Sequence, residues 1–435
     1  MRGSMQIVRT TLLWIVGLVF VLVGINSNDP YLVPMRGMGN LMLVIASGAV
    51  VFMLLRLGGW RGRPWAGRLL VILWCMPPLV LLAAHGVFEF RKQRVLRTEA
   101  ALARSLGQHF IVGYRSLDEV APLAEKGLIG GIYVTGRNVA GRTAEALKAE
   151  IAALQARRRA AGLPPLIVAT DQEGGIVSHL APPLTRLPAL ASLVDLAPDQ
   201  RKAKAEEFGR IHGSELASLG VNLNLAPVLD LRPEAKRNRL DFNTLINQRA
   251  ISDDPAKVSA IADAYIHGLE SAGVNATVKH FPGLGRVRAD THHFTADLDT
   301  PVSELEASDW RPFRDVLSTT SARLMVGHVA VSALDPRRPA SHSKAVIDGL
   351  IRKTWNYQGL VMTDDLVMGA IYQHNVCTAV VEALNAGVDL LLVAYDGAQF
   401  YRLFACATDA AAQDGFDAIM LHDSEARLRR ASLID

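Results

Sequence analysis

The sequence predicts an α/β protein: a (β/α)8 TIM barrel preceded by an N-terminal transmembrane helical region. Three observations carry this reading. Uncharged apolar runs crowd the first 100 residues. Beyond them, short runs rich in β-branched residues alternate with Ala/Leu/Lys/Glu-rich stretches, the signature of a parallel sheet with crossover helices. Polar and charged residues recur at the ends of the β-branched runs, where a barrel of this kind carries its chemistry. The chain of 435 residues therefore divides at about residue 100, into a membrane region of about three helices (1–100) and a barrel domain (101–435).

The apolar runs are Thr11–Ile25, Leu41–Leu55 and Leu69–Ala84. Each is slightly shorter than the roughly 20 residues that span hydrocarbon, and flanking Gly, Ala, Trp and Val extend it. A cleaved signal peptide is the alternative for the first run. Two further runs close behind it, with no evident small-residue cleavage site, favour retained helices. Pro77 and Pro78 in the third run predict a kink of a kind membrane helices tolerate. Arg2 and Arg9 precede the first run, and Arg56, Arg61, Arg63 and Arg68 crowd the second loop. The positive-inside rule then places the N-terminus and that loop in the cytoplasm and the barrel outside, although Arg91, Lys92, Arg94 and Arg97 oppose this orientation. The expected location is a bacterial inner membrane, multi-pass, with the barrel periplasmic or extracellular.

The predicted barrel strands are Phe110–Tyr114, Gly131–Val134, Leu166–Asp171, Val221–Val228, Ala276–Phe281, Leu324–Val329, Leu360–Asp364 and Asp389–Val393, with helices such as Glu145–Ala161 and Pro255–Ala272 between them. A doubly wound open sheet is the main competitor, weakened by the absence of a Gly-rich dinucleotide loop after the first strand. The formal charge is +4, yet residues 1–100 hold 11 Lys and Arg against Asp29, Glu89 and Glu99, so the remainder is net negative. This asymmetry points to lipid headgroups as a partner, and no basic stripe with interleaved aromatics suggests nucleic acid. Of the three cysteines, Cys75 lies in an apolar run. Cys377 and Cys406 show no metal spacing and read as small buried hydrophobes. No metal and no cofactor is expected.

Strand ends bring together Asp171, Gln172 and Glu173; Asp230; Lys279 and His280; His328; and Asp364 with Asp365. Any one of these would read as a cap or an ion pair, but five strand ends together read as one polar site. In the stretch Lys279–His292 a strand ends, Pro282, Gly283 and Gly285 make a loop, and Asp290-Thr291-His292 follows. A carboxylate two residues before an imidazole orients it and stabilises its cation, which suits general acid/base work, though a surface turn is the everyday explanation of such a pair. At Thr363-Asp364-Asp365-Leu366 two carboxylates follow a strand. A helix N-cap accounts for Asp365 but not for both.

These stretches resemble signatures of the bacterial β-N-acetylglucosaminidase branch of glycoside hydrolase family 3. Lys279–His292 is similar to KHFPGHG…D-[S/T]-H, Thr363–Met368 to S/T-D-D-L-x-M, and Asp171–Gly175 to D-x-E-G-G. Further matches are Gly130-Gly131-Ile132, Asn222–Asp230, Gln248-Arg249-Ala250 and Gly327-His328-Val329, so the resemblance covers roughly residues 105–400. It implies Asp364 as nucleophile and His292 with Asp290 as acid/base dyad. It also implies Asp171, Arg249, Lys279 and His280 as substrate-binding, with His179 where the family often has a second substrate-binding Arg. Leu284 and Ile176 stand where the family has His and Arg, His293 falls outside the pattern, and Leu231–Ile246 agrees only in part with an Asn/Pro-rich loop. The implied activity is retaining hydrolysis of terminal β-linked N-acetylglucosamine from a glycan or muropeptide. A phosphorylase is the alternative within the same chemistry, because a His acid/base repels phosphate less than a carboxylate does. A non-catalytic membrane-bound glycan sensor is the alternative outside it, opposed by retention of Asp290, His292 and Asp364.

Overall fold

The computed structural model describes residues 2–58, 64–233, 244–372 and 375–434. Arg61 and Arg63 of the basic loop, and residues 234–243 of the Asn/Pro-rich loop segment, lie outside them. The chain forms two compact units, Met1–Arg97 and Thr98–Asp435.

The first unit holds helices α1 (Arg2–Ile25), α2 (Met38–Gly58) and α3 (Trp65–Leu96). Each is long and apolar enough to cross a bilayer. Their shared core is Val21, Leu54, Leu70, Val71, Leu73 and Trp74, and the Trp74 indole donates to Leu13 O at 3.1 Å. Gly17 permits the close approach of α1 and α3, since a Cβ there would sit 2.8 Å from Leu73 Cδ2. Leu12, Ile15, Leu22, Ile45, Phe52 and Leu82 face outward, the apolar exterior that water disfavours and lipid accepts. α3 runs unbroken through Pro77 and Pro78 and on to Leu96, well past the predicted run. In the loop after α1, the Arg36 guanidinium donates to the carbonyls of Ser27 and Asn28, so its charge meets the C-terminal end of that helix.

The second unit is built on eight parallel strands: β1 (Phe110–Gly113), β2 (Gly131–Tyr133), β3 (Ile167–Thr170), β4 (Leu223–Asn224), β5 (Asn275–Phe281), β6 (Arg323–Val326), β7 (Val361–Thr363) and β8 (Leu391–Val393). Their order, β7-β6-β5-β4-β3-β2-β1-β8, is the sequential one of a barrel, and a parallel bridge between Met362 and Leu390 joins the two edges into a nearly closed sheet. Ile111, Ala169, Leu223, Met325, Met362 and Leu392 pack its interior together with Leu428 of the C-terminal helix Ala418–Ile434. Seven of the eight strands are shorter than predicted, and β5 begins one residue earlier than predicted, at Asn275. β4 keeps only two regular residues, although Ala226 O and Pro227 O still accept from Thr277 and Lys279 and Val228 bridges Lys279 in parallel, and β6 ends two residues before His328.

Two of the outer helices, Pro198–Leu219 and Pro255–Glu270, cross in close contact. A Cβ on Gly209 would lie 2.0 Å from Tyr265 O, and one on Gly268 would lie 2.1 Å from Glu206 O, so only glycine allows this approach. Cys377 and Cys406 are not isolated apolar fillers. They form a disulfide between helices Val376–Ala386 and Phe400–Ala411, with Cα atoms 5.2 Å apart. Spacing along the chain gave no sign of this pairing, because it is a tertiary contact between consecutive outer-layer helices.

Candidate active site

Every candidate residue lies at or beyond the carboxyl end of a strand, so the barrel delivers them to one rim. The sequence after β3 folds back as a small antiparallel hairpin, Gln172–Gly174 with Val177–Ser178, which carries Glu173 inward. Asp171 accepts from the Tyr133 hydroxyl at 2.5 Å and from the Lys279 ammonium. His179 Nδ1 meets the same Tyr133 hydroxyl at 3.1 Å, so the three strand ends β2, β3 and β5 share one network. Lys279 also pairs with Glu173 at 2.7 Å, and Arg249 grips Glu173 with two bonds, Nε to Oε2 at 3.0 Å and Nη2 to Oε1 at 2.6 Å.

Burial alone would raise the carboxyl pKa values of Asp171 and Glu173. The Lys279 and Arg249 charges outweigh it, holding Asp171 below its ordinary range and Glu173 at about 2. The same carboxylates raise Lys279 against its own desolvation, so the cluster is fully ionised at neutral pH.

His280 is set by Asp230, a wholly buried carboxylate that accepts its Nδ1–H at 2.7 Å and the Leu284 N–H at 2.7 Å. With the proton on Nδ1, Nε2 is left as an acceptor toward Arg249 Nη2 at 3.4 Å. Leu284, where the family has His, is buried and contributes its backbone to this bond. Ile176, where the family has Arg, is 49% exposed at the rim.

The Asp290–His292 pair forms as expected. His292 Nδ1 lies 2.9 Å from Asp290 Oδ1, and the His292 backbone N–H donates to the same oxygen at 3.0 Å. Asp290 is buried and His292 half-exposed, so the carboxylate is shielded while the ring reaches solvent. Burial would raise the Asp290 carboxyl, and the hydrogen bonds from His292 hold it below its ordinary range. Two contacts locate the loop. Ala296–Leu298 pairs in parallel with Val329–Val331 beyond β6, and His292 O accepts from the Gly369 N–H at 2.8 Å. The second bond ties the dyad to the segment that follows Asp364.

Asp364 follows β7, its N–H bonded to Val326 O at 2.9 Å. Burial pushes its carboxyl upward, and the imidazoles of His280, His328 and His292 around it bring it below its ordinary range. Asp365 is more than a helix cap. It accepts from the N–H groups of Val367, Ala394 and Tyr395, lacing the end of β7 to that of β8. Burial raises its pKa to about 6, against those three bonds. His328 Nε2 donates to Asp365 O at 3.0 Å, Nδ1 meets Ser341 Oγ at 2.8 Å, and burial holds the imidazole below its ordinary pKa. All eight candidate residues thus converge. Glu173, Asp230 and His328 were visible as strand-end polar residues, but their supporting parts as clamp, tautomer lock and brace depend on contacts across strands.

A negative carboxylate ringed by imidazoles, an Asp–His dyad on an adjoining loop and an ionised Asp/Glu/Lys/Arg floor define a carbohydrate-cleaving barrel. Residues 101–415 match the Glycosyl hydrolase family 3 N terminal domain, and the chain belongs to that family, as a glycosidase. It is similar to the β-hexosaminidase of Nitrosomonas eutropha, 34% identical over 273 residues that span 62% of this chain and 74% of that protein. Among solved structures it resembles a family 3 β-N-acetylglucosaminidase from a Paenibacillus species, with a TM-score of 0.68 and 30% identity, over 76% of this chain and 62% of that one. The chain thus matches less than two thirds of that longer structure. A β-N-acetylhexosaminidase from Beutenbergia cavernae superposes with a TM-score of 0.68 at 28% identity, over 76% of this chain and 98% of that one.

Proposed function

We propose that the protein is a retaining β-N-acetylglucosaminidase acting on peptidoglycan-derived glycans, anchored in a bacterial inner membrane with its barrel on the periplasmic or outer side. The observation that carries the chemistry is the Asp290–His292 dyad bonded through His292 O to Gly369, five residues after Asp364. In the first step Asp364 attacks the anomeric carbon, the glycosidic C–O bond breaks, and His292 gives its Nε2 proton to the leaving oxygen. In the second step His292 takes a proton from water, whose oxygen displaces Asp364. Asp290 stabilises the imidazolium that exists before the first step and is regenerated in the second, and it orients the neutral ring between them. Asp171, Lys279, Arg249, His280 and His179 hold the sugar hydroxyls and the acetamido group from the opposite wall. The names of the β-hexosaminidase and β-N-acetylglucosaminidase relatives support this substrate class.

Three apolar helices support the anchor. The Cys377–Cys406 disulfide supports the outward placement independently of the charge pattern, because such bonds persist in oxidising compartments. The histidine acid also suits a phosphorylase, and comparing product formation in phosphate and non-phosphate buffers separates the two readings. Asp364→Asn should abolish turnover of a chromogenic N-acetylglucosaminide with the fold intact, and a mechanism-based fluorosugar should label Asp364 in the parent. Label on another residue, or substantial turnover by the variant, would overturn the assignment.

A further inference from the structure

The Tyr133 hydroxyl stands between Asp171 and His179 and has a single hydrogen to give. Its ring belongs to the barrel's interior core, with Ile111, Ala169 and Leu223, and is 6% exposed, so the position of the hydroxyl is fixed from below. His179 arrives by the hairpin that follows β3. Its N–H donates to Asp171 O at 3.1 Å, and its ring meets Tyr133 edge-on, at 78° with centroids 6.3 Å apart. The phenol oxygen then lies 2.5 Å from Asp171 Oδ2 and 3.1 Å from His179 Nδ1.

The placing of hydrogens decides what this junction offers a ligand. Burial opposes ionisation of Asp171, but the Lys279 ammonium prevails, so the carboxylate carries no hydrogen for the contact. Burial and the Asp171 charge both keep the phenol protonated. The bond between them is therefore the Tyr133 hydrogen given to Asp171. With that hydrogen spent, the phenol oxygen can only accept from His179, so Nδ1 is the protonated nitrogen. In the neutral ring Nε2 is left as a bare acceptor. It has no partner among the described residues, and His179 is only half-buried, so a ligand can reach it. The neighbouring cations Lys279 and Arg249 are donors only.

We infer that Tyr133 is a specificity-determining residue of the sugar site: by accepting the Nδ1 hydrogen it leaves His179 Nε2 to accept from a sugar hydroxyl, so this wall selects a hydroxyl that still bears its hydrogen. An oxygen carrying an acyl or alkyl group at the same place offers only lone pairs, which would oppose the Nε2 lone pair and leave both unpaired. Histidine in water favours the other tautomer, with the hydrogen on Nε2, which would donate to such an oxygen. Tyr133 thus acts as a positioning residue that sets the direction of the hydrogen bond to the sugar. The inference rests on the glycosidase reading above for its ligand, while the tautomer is independent of that reading.

The test uses the full-length protein in detergent, an aryl N-acetylglucosaminide, and analogues in which each ring hydroxyl is replaced in turn by fluorine, which cannot donate. The penalty for fluorine is read in each enzyme as the ratio of kcat/KM on the unsubstituted glycoside to that on the analogue. Comparing the ratios between enzymes cancels the inductive slowing common to all of them. At one ring position the penalty should be about ten-fold larger in the parent than in His179→Ala, the worth of one hydrogen bond. Tyr133→Phe, which keeps the ring, should show the same reduced penalty at the same position, and the double variant no further change. A purely structural part for Tyr133 would instead lower turnover by one factor on every glycoside and leave the penalties as in the parent, which would overturn the inference. Penalties equal in the parent and His179→Ala would do the same, and this comparison stands even where Tyr133→Phe does not fold. Heteronuclear NMR of protein labelled in its histidine nitrogens, in mildly alkaline buffer and with His179→Ala for assignment, reads the tautomer without any substrate. Hydrogen on Nδ1 of His179 in the parent, moving to Nε2 in Tyr133→Phe, is the expected result, and hydrogen on Nε2 in the parent would refute the assignment. A parent that hydrolyses none of the glycosides yet shows the Nδ1 hydrogen would overturn the function proposed above and uphold the Tyr133–His179 assignment.

Discussion

Two carboxylates two residues or fewer from a histidine or from each other mean little by themselves, and at Asp290 and Asp364 the surroundings decide what they do. Asp290 is shielded and bonded twice to His292, so the pair should act as a unit. His292→Ala should lose far more rate on aryl glycosides with poor leaving groups than on those with good ones, which need little protonation. Adding Asp290→Ala should then cost little more. Equal losses across leaving groups would show that His292 is not the acid. Glu173 is the best example of a residue whose part is electrostatic. Its folded pKa of about 2 lies below the ordinary 4.5, so its contribution to stability is present above pH 4.5 and is lost as pH falls through about 2. Glu173→Gln should therefore destabilise the protein by roughly 3 kcal/mol at neutral pH. Urea unfolding of parent and variant should show that gap closing between pH 4.5 and pH 2, and a gap independent of pH would refute the charge argument.

At the scale of elements, two devices place the chemistry. The parallel pair Ala296–Leu298 with Val329–Val331 holds the dyad-bearing loop against the loop after β6, and Asp365 laces β7 to β8 beneath it. The loop that carries Asp290 and His292 is thereby held to the barrel rim. The disulfide acts in the outer layer, closing a separation of 29 residues between Val376–Ala386 and Phe400–Ala411. Cross-linking a loop of that size restricts the unfolded chain by roughly 3–4 kcal/mol in the loop-closure account. Cys377→Ser should lower the denaturation midpoint correspondingly, and a reducing agent should lower the parent to the same value without affecting the variant. Midpoints insensitive to both changes would mean that the bond contributes nothing in solution.

At the scale of the whole molecule the question is which side of the membrane the barrel occupies. Arg2, Arg9, Arg56 and Arg68, with Arg61 and Arg63, favour a cytoplasmic N-terminus and second loop. On the topology proposed above, three crossings would carry the barrel outward, within reach of peptidoglycan. The cluster from Arg91 to Arg97 argues the other way, but a segment leading into a long domain weighs less in the rule than a short loop does. A C-terminal alkaline-phosphatase fusion should be active, and a fluorescent-protein fusion that folds only in the cytoplasm should be dark. The opposite pair of results would place the enzyme in the cytoplasm and leave the barrel chemistry untouched.

The sequence by itself determined the division near residue 100, the three apolar helices, the eight strand positions and the eight candidate site residues. Each of these is a local property: a hydrophobic run long enough for a membrane, a β-branched run with a polar end, or a motif of a few consecutive residues. Most strands were overestimated because apolar composition continues past the regular ladder, as at Leu225–Val228 after β4, where the pairing goes on only as single bonds and one bridge. What only the tertiary structure decided involves partners far apart in the chain. Glu173 meets Arg249, Asp230 fixes the His280 tautomer, Cys377 bonds Cys406, and Gly209 and Gly268 let two helices touch. Short-range patterns report which face a residue turns to; the closing of the barrel decides which residues meet across it, and the charges, tautomers and cavities follow from those meetings.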